Sequence, residues 1–164
     1  MNIARTLLLC LSSVVACTVD AAESPAGGGV PLTFDEPAVE LAELMGQLQL
    51  YAHKLTLSVD AHNAPLARFY LEEATHLMTQ MQALTPEYEG IPVALYLDRM
   101  GLPAADALAE ALPAEAVDVA WTAIDQATDA FIDACNRCHA ASQHGFIRIK
   151  RHADNPFLQD FSPE

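Results

Sequence analysis

The sequence has few basic residues, few aromatic residues and few cysteines. Its 164 residues include eight Lys and Arg against 22 Asp and Glu, which gives a formal net charge of −14 at pH 7. Nucleic acids and anionic membrane surfaces repel such an acidic chain, so neither is expected as a partner. Four cysteines are too few for a disulfide scaffold of this length. Seven glycines and ten prolines are too few for a fibrous or disordered chain.

The N-terminus has the features of a secretory signal peptide over residues 1–22. Arg5 precedes an apolar run at residues 7–16, which is too short to span a bilayer. Small residues at 19 and 21 suit ordinary signal peptidase, whereas the stretch ending at Cys17 resembles a lipoprotein cleavage box. Both cleavage sites remain open, and the second would leave a lipid on Cys17. Either one predicts export to the bacterial periplasm.

The rest of the chain predicts an all-α protein. Hydrophobic residues make up 52% of the chain, which is enough to bury the core of one domain. Apolar residues at three- and four-residue spacing predict helices from a start signal at 33–37 to about 61, at 64–84, at 92–111, and from Pro113 to a cap at Gly145. Gly101-Leu102-Pro103 interrupts the third region and predicts two short helices there.

Short connections favour antiparallel neighbours, so the expected architecture is an antiparallel up-and-down four-helix bundle with a broken third helix. The expected organisation is a flexible linker at 23–34, a helical domain at 35–145 and a C-terminal tail at 146–164 that packs on the domain.

Cys135-Asn136-Arg137-Cys138-His139 matches C-x-x-C-H, the attachment signature of c-type haem. Two thiols one helical turn apart can reach the two vinyl groups of one porphyrin. The imidazole that follows then lies under the iron as an axial ligand. We therefore expect one covalent haem c, bound through Cys135 and Cys138, with His139 on the iron and the haem on the last helix.

Other uses of this cysteine pair are less consistent with the sequence. A thioredoxin-like redox pair belongs at a helix N-terminus on a βαβ scaffold, whereas this pair is near the end of a predicted helix. A zinc site would need a second pair of ligands at metal spacing. A disulfide between thiols three residues apart in a helix is poorly placed.

A helical bundle with C-x-x-C-H on its last helix resembles the class II c-type cytochromes, the cytochrome c-prime and cytochrome c-556 group. The resemblance covers about residues 36–145, and only the haem motif within it is specific. Class I cytochromes take a Met ligand from far downstream of the motif, and no Met follows His139 here.

The resemblance implies that the first helix builds the other face of the haem. Residues 43–48 resemble the stretch where the c-556 proteins place a Met ligand, which makes Met45 the predicted second iron ligand. Met45 lies on the apolar stripe, and Gly46 beside it would let a flat ring approach closely. The alternative is that Met45 only packs beside the haem. His53, about two turns further on, is a second candidate ligand.

Two further residues are expected to contact the haem. Phe131 lies about one turn before Cys135 on the same stripe, which predicts a contact with the ring. Arg148 belongs to a group of basic residues after the motif and is expected to pair with a haem propionate. A solvated basic tail is the alternative for that group, which comprises Arg137, Arg148, Lys150 and Arg151.

These features predict a one-electron carrier with His/Met-ligated iron rather than an enzyme. The first alternative is a five-coordinate haem protein that binds NO, CO or another small ligand as a sensor or scavenger. The second is a peroxidase, for which His53 is the only candidate distal acid or base. We expect a redox partner protein that docks through a basic patch, and no membrane contact except through a lipid on Cys17. A homodimer remains open.

Overall fold

The computed structural model describes residues 40–113 and 119–163, and within these ranges the protein is all-α. The helical elements are α1 (Leu41–Asp60), α2 (Ala64–Leu84), α3 (Val93–Tyr96), a π-helical segment (Leu97–Gly101), α4 (Leu102–Ala111) and α5 (Trp121–Ala141). An isolated bridge joins Tyr88 and Ile91, and the described residues contain no strand. The all-α prediction is thus confirmed. None of the described helices is long and apolar enough to cross a membrane.

The N-terminal predictions lie outside the described residues. They comprise the signal peptide, both cleavage sites, the lipid on Cys17, the linker and the start signal at 33–37.

The α1–α2 turn follows the sequence pattern. The Asn63 side chain accepts a hydrogen bond from the Leu66 amide (3.1 Å), and Pro65 falls in the first turn of α2, where its missing N–H costs nothing. The helix ends at Leu84, just before Thr85 and Pro86, as predicted.

The third helical region continues without the predicted break at Gly101. The chain stays helical from Val93 to Ala111, because the π-helical segment accommodates the irregularity within the helix. Pro103 follows in the first turn of α4, where a proline is tolerated. A side chain at Gly101 would bring its Cβ within 2.9 Å of the Met78 Sδ, so the glycine allows this region to approach α2 closely.

The last helix begins at Trp121, and the prediction that Pro113 opens it is wrong. Leu112 is extended (φ −81°, ψ 113°), as expected for a residue before proline, and its carbonyl accepts a hydrogen bond from Arg68. Pro113 therefore follows the end of α4. At the other end, α5 stops at Ala141, and Gln143 (φ 64°) rather than Gly145 adopts the left-handed conformation.

The tail packs on the helices. Phe161 is buried, and the Asn63 side-chain amide donates to the carbonyls of Phe161 (3.1 Å) and Ser162 (3.0 Å). Arg151 forms ion pairs with Asp60 at the end of α1 and with Asp125 and Asp129 on α5. These contacts hold the tail against the turn between α1 and α2 and against α5.

Candidate functional site

A cavity of about 380 Å³ lies between α1, the end of α5, the 88–96 region and the segment after α5. Its volume is in the range of small-molecule and cofactor sites. Most of its lining is apolar, and the residues lining it are Leu41, Ala42, Met45, Gly46, Leu48, Gln49, Ala52, Tyr88, Ile91, Val93, Tyr96, Cys135, Cys138, His139, Ser142, His144, Ile147 and Ile149. The two thiols, the imidazole of the motif and the thioether of Met45 thus share one cavity, although 90 residues of sequence separate Met45 from Cys135.

The two cysteines occupy the last turns of α5, and both are free thiols that are partly buried. Burial raises the pKa of Cys135 to about 11, with a smaller contribution from the nearby Cys138. Burial also raises the pKa of Cys138. A thioredoxin-like pair has the opposite character, because its nucleophilic thiol has a lowered pKa at a helix N-terminus. Both the position and the protonation of these thiols therefore disfavour that alternative.

A hydrogen bond to the backbone holds the imidazole of His139. The Nδ1–H donates to the carbonyl of Ile147 (3.1 Å), since a carbonyl can only accept. This bond fixes the tautomer in which Nε2 carries the lone pair and can bind a metal ion. The hydrogen bond thus leaves Nε2 as the nitrogen of His139 that is available to a metal ion.

Asn136, inside the motif, holds the segment that carries this carbonyl. Its amide nitrogen donates to the carbonyl of Ile149, and its amide oxygen accepts from the Ile149 amide, both at 2.8 Å. The two bonds fasten residues 147–149 alongside α5. Sequence reasoning missed this role, although Ile147 and Ile149 alternating with Arg148 and Lys150 indicates an extended segment with one apolar face.

On the opposite wall, α1 contributes Met45 and Gly46. Met45 is half-buried and packs at the edge of the core. Gly46 is exposed, and no atom outside the local backbone lies within 4 Å of where its Cβ would be. Two thiols, an oriented imidazole, a thioether and apolar walls together fit a covalently attached haem.

Three of the candidate residues are not brought to this cavity. Phe131 is fully buried (0% exposed) in the core, and Arg148 is exposed to solvent. His53 faces the tail, with its ring 5.2 Å from that of Phe157 and 6.4 Å from that of His152, centroid to centroid. The distal acid or base that a peroxidase needs is therefore not supplied by His53.

Conversely, Ser142 and His144 line the cavity without having been predicted to do so.

A zinc site also lacks support in the described part of the chain. There, no group of three or more His, Cys, Asp and Glu side chains is arranged to hold a metal ion. A larger open groove of about 560 Å³ runs between α2 and α4, but it is lined by none of the motif residues.

No protein-family model matches the chain, and comparisons with curated proteins and with solved structures found no match. The functional assignment therefore depends on the residues of the cavity themselves.

Proposed function

We propose that the protein is an exported, periplasmic monohaem c-type cytochrome of the class II type that carries one electron and is not an enzyme. The observation that carries this proposal is that Cys135, Cys138, His139 and Met45 line a single, mostly apolar cavity. A redox partner protein is part of the proposal, because an electron carrier must exchange its electron with one.

The haem would supply the ferric/ferrous couple. Cys135 and Cys138 would hold it through thioether bonds, and His139 would present Nε2 to the iron while Nδ1–H stays bonded to Ile147. Met45 would present its sulfur from α1, and the apolar walls would exclude water.

We further propose that α1, α2, the helical region from Val93 to Ala111 and α5 form an antiparallel up-and-down bundle. Support comes from the contacts of α1 with α2 and α5 and of α4 with α5. In this arrangement the haem lies between the first and last helices, which matches the position of the cavity.

A second candidate function is a five-coordinate haem protein that binds NO, CO or another small ligand. The packing of Met45 against the hydrophobic core favours it, because a thioether engaged in core contacts is less free to bind an iron. In that case Met45 would pack next to the haem without binding the iron.

The first experiment is expression in a host that attaches haem c, followed by acid–organic extraction and intact mass. Haem should stay with the wild-type polypeptide, and the C135A/C138A variant should release it. Extraction of haem from the wild type, or a failure to acquire haem, would contradict the cytochrome assignment.

The optical spectrum of Met45→Ala then separates the two candidates. If Met45 is a ligand, the ferric wild type is low-spin and the variant becomes high-spin, because the iron loses its sixth ligand. Met100→Ala is the matched control, since Met100 is also half-buried but does not line the cavity. A high-spin wild type would support the ligand-binding candidate instead.

A further inference from the structure

The basic residues of this acidic chain differ in whether they form contacts within the protein. Lys54 donates to Gln159 (3.2 Å), and Arg68 donates to the carbonyl of Leu112. Arg151 pairs with three aspartates. These three cations thus take part in internal contacts that hold the fold together.

Arg137, Arg148 and Lys150, in contrast, are exposed, and none of them forms an ion pair with another described residue. Arg137 follows Asn136 in the chain, and Arg148 and Lys150 flank Ile149. The two hydrogen bonds between Asn136 and Ile149 therefore bring the backbones of the three basic residues close together. Asp133, one turn before Arg137, is the exposed carboxylate on the same part of α5. The end of α5 and the segment bonded to it thus carry three exposed basic residues and, among these residues, one exposed carboxylate.

Two exposed apolar residues adjoin these basic residues along the chain. Phe146 is 79% exposed and Ile147 is 42% exposed, and Ile147 also lines the cavity. An exposed aromatic residue beside charged residues is typical of a protein-docking surface, because it supplies buried area while the charges supply orientation.

The beginning of α1 carries charges of the opposite sign. Glu40 and Glu43 are exposed at the beginning of α1, which forms the other wall. The molecule therefore has a positive surface on the motif side within a strongly negative whole, and this asymmetry can orient a charged partner.

We propose that Arg137, Phe146, Ile147, Arg148 and Lys150, here called the basic patch, form the docking surface for an acidic face of a redox partner protein. The inference rests on the proposed electron-carrier function. The net charge of −14 would by itself repel an acidic partner. Salt screens charges beyond about 8–10 Å at physiological ionic strength, so the charges nearest the docked face decide whether the interaction is attractive.

The test is stopped-flow oxidation of the reduced, full-length haem protein by small reagents of opposite charge. One electron passes from the protein to hexacyanoferrate(III), which becomes hexacyanoferrate(II). Tris(phenanthroline)cobalt(III) is the cationic counterpart. We expect the triple variant R137Q/R148Q/K150Q to lower the rate with the anionic reagent by about fivefold at low ionic strength, relative to the cationic reagent. The difference should vanish at high salt.

Arg99→Gln is the control, because Arg99 is also exposed but belongs to the π-helical segment rather than to the basic patch. It should leave the ratio of the two rates unchanged. An unchanged ratio in the triple variant would overturn the basic patch as the route of electron exchange, while an absent haem spectrum would instead overturn the proposed function. A dimer by sedimentation velocity that dissociates in the triple variant would make a second copy the occupant and so overturn the assignment to a partner protein.

Discussion

At the scale of single residues, the side chain of Asn136 decides how the proposed iron ligand is held. Its two 2.8 Å hydrogen bonds fix Ile149, and two residues earlier the carbonyl of Ile147 accepts from His139 at 3.1 Å. A hydrogen bond at the ring nitrogen remote from a metal makes the imidazole a stronger donor, which favours the oxidised state. Asn136 is therefore a positioning residue that acts through the backbone.

Asn136→Ala should raise the reduction potential of the haem protein. Without the Asn136 side chain, residues 147–149 are no longer held to α5, so the hydrogen bond from His139 Nδ1–H to the Ile147 carbonyl weakens. The ferric state then loses roughly 1 kcal/mol of stabilisation relative to the ferrous state. Spectroelectrochemistry measures the potential, and resonance Raman of the ferrous state should show a lower iron–histidine stretching frequency where the distal ligand is absent.

Asn155→Ala is the control for this experiment, since Asn155 brackets backbone groups in the tail in a similar way, away from the cavity. An unchanged potential in a folded Asn136→Ala protein would contradict the positioning role.

At the scale of elements, the turn between α1 and α2 connects helix capping to the tail. One side chain, Asn63, caps α2 with its oxygen and binds the carbonyls of Phe161 and Ser162 with its nitrogen. The turn thus provides both the start of a helix and the docking point for the chain end.

Asn63→Ala should lower the free energy of unfolding by about 2 kcal/mol, because it removes the cap and both bonds to the tail. Asn63→Ser should cost less, about 1 kcal/mol, since a serine oxygen still caps the helix but donates no amide hydrogen to the tail. Urea denaturation followed by circular dichroism measures both values. Equal losses in the two variants would mean that the cap contributes nothing.

At the scale of the whole molecule, Arg151 joins three parts of the chain, the end of α1, the α5 helix and the tail. Burial alone would lower the pKa of the Arg151 guanidinium, but the paired aspartates outweigh burial and hold that pKa above its ordinary value. Because those aspartates are substantially exposed, the network is open to screening by salt.

Arg151→Gln should reduce the free energy of unfolding by about 1 kcal/mol, since it leaves three neighbouring carboxylates without their common cation. The loss should shrink at about 0.5 M salt, where both the attraction and the repulsion among the aspartates are screened. Urea denaturation at low and high salt checks this, with Arg99→Gln as the control for removal of an exposed arginine. A loss that does not depend on salt would indicate that Arg151 acts through packing instead.

The middle of each helix could be predicted where the hydrophobic pattern is strong. The residues at which helices begin and end were predicted less accurately. The pattern from Leu44 to Val59 and the cap at Asn63 depend on neighbours along the chain, so local chemistry sufficed. The prediction that Pro113 opens the last helix is wrong because proline both follows helix ends and begins helices. The hydrogen bond from Arg68 to the Leu112 carbonyl, at the end of α4, joins residues far apart in the sequence. Likewise, the close approach at Gly101 is to Met78 on another helix, which the local sequence does not reveal.

The chemical groups of the candidate site can be identified without the fold, because C-x-x-C-H places two thiols and an imidazole within two turns of one helix. Which distant groups meet them depends on the packing of the helices. In the fold, Met45 lies in the cavity, Phe131 in the core and Arg148 in solvent. Which residues face each other across a cavity depends on how the helices pack and not on the hydrophobic period of each helix.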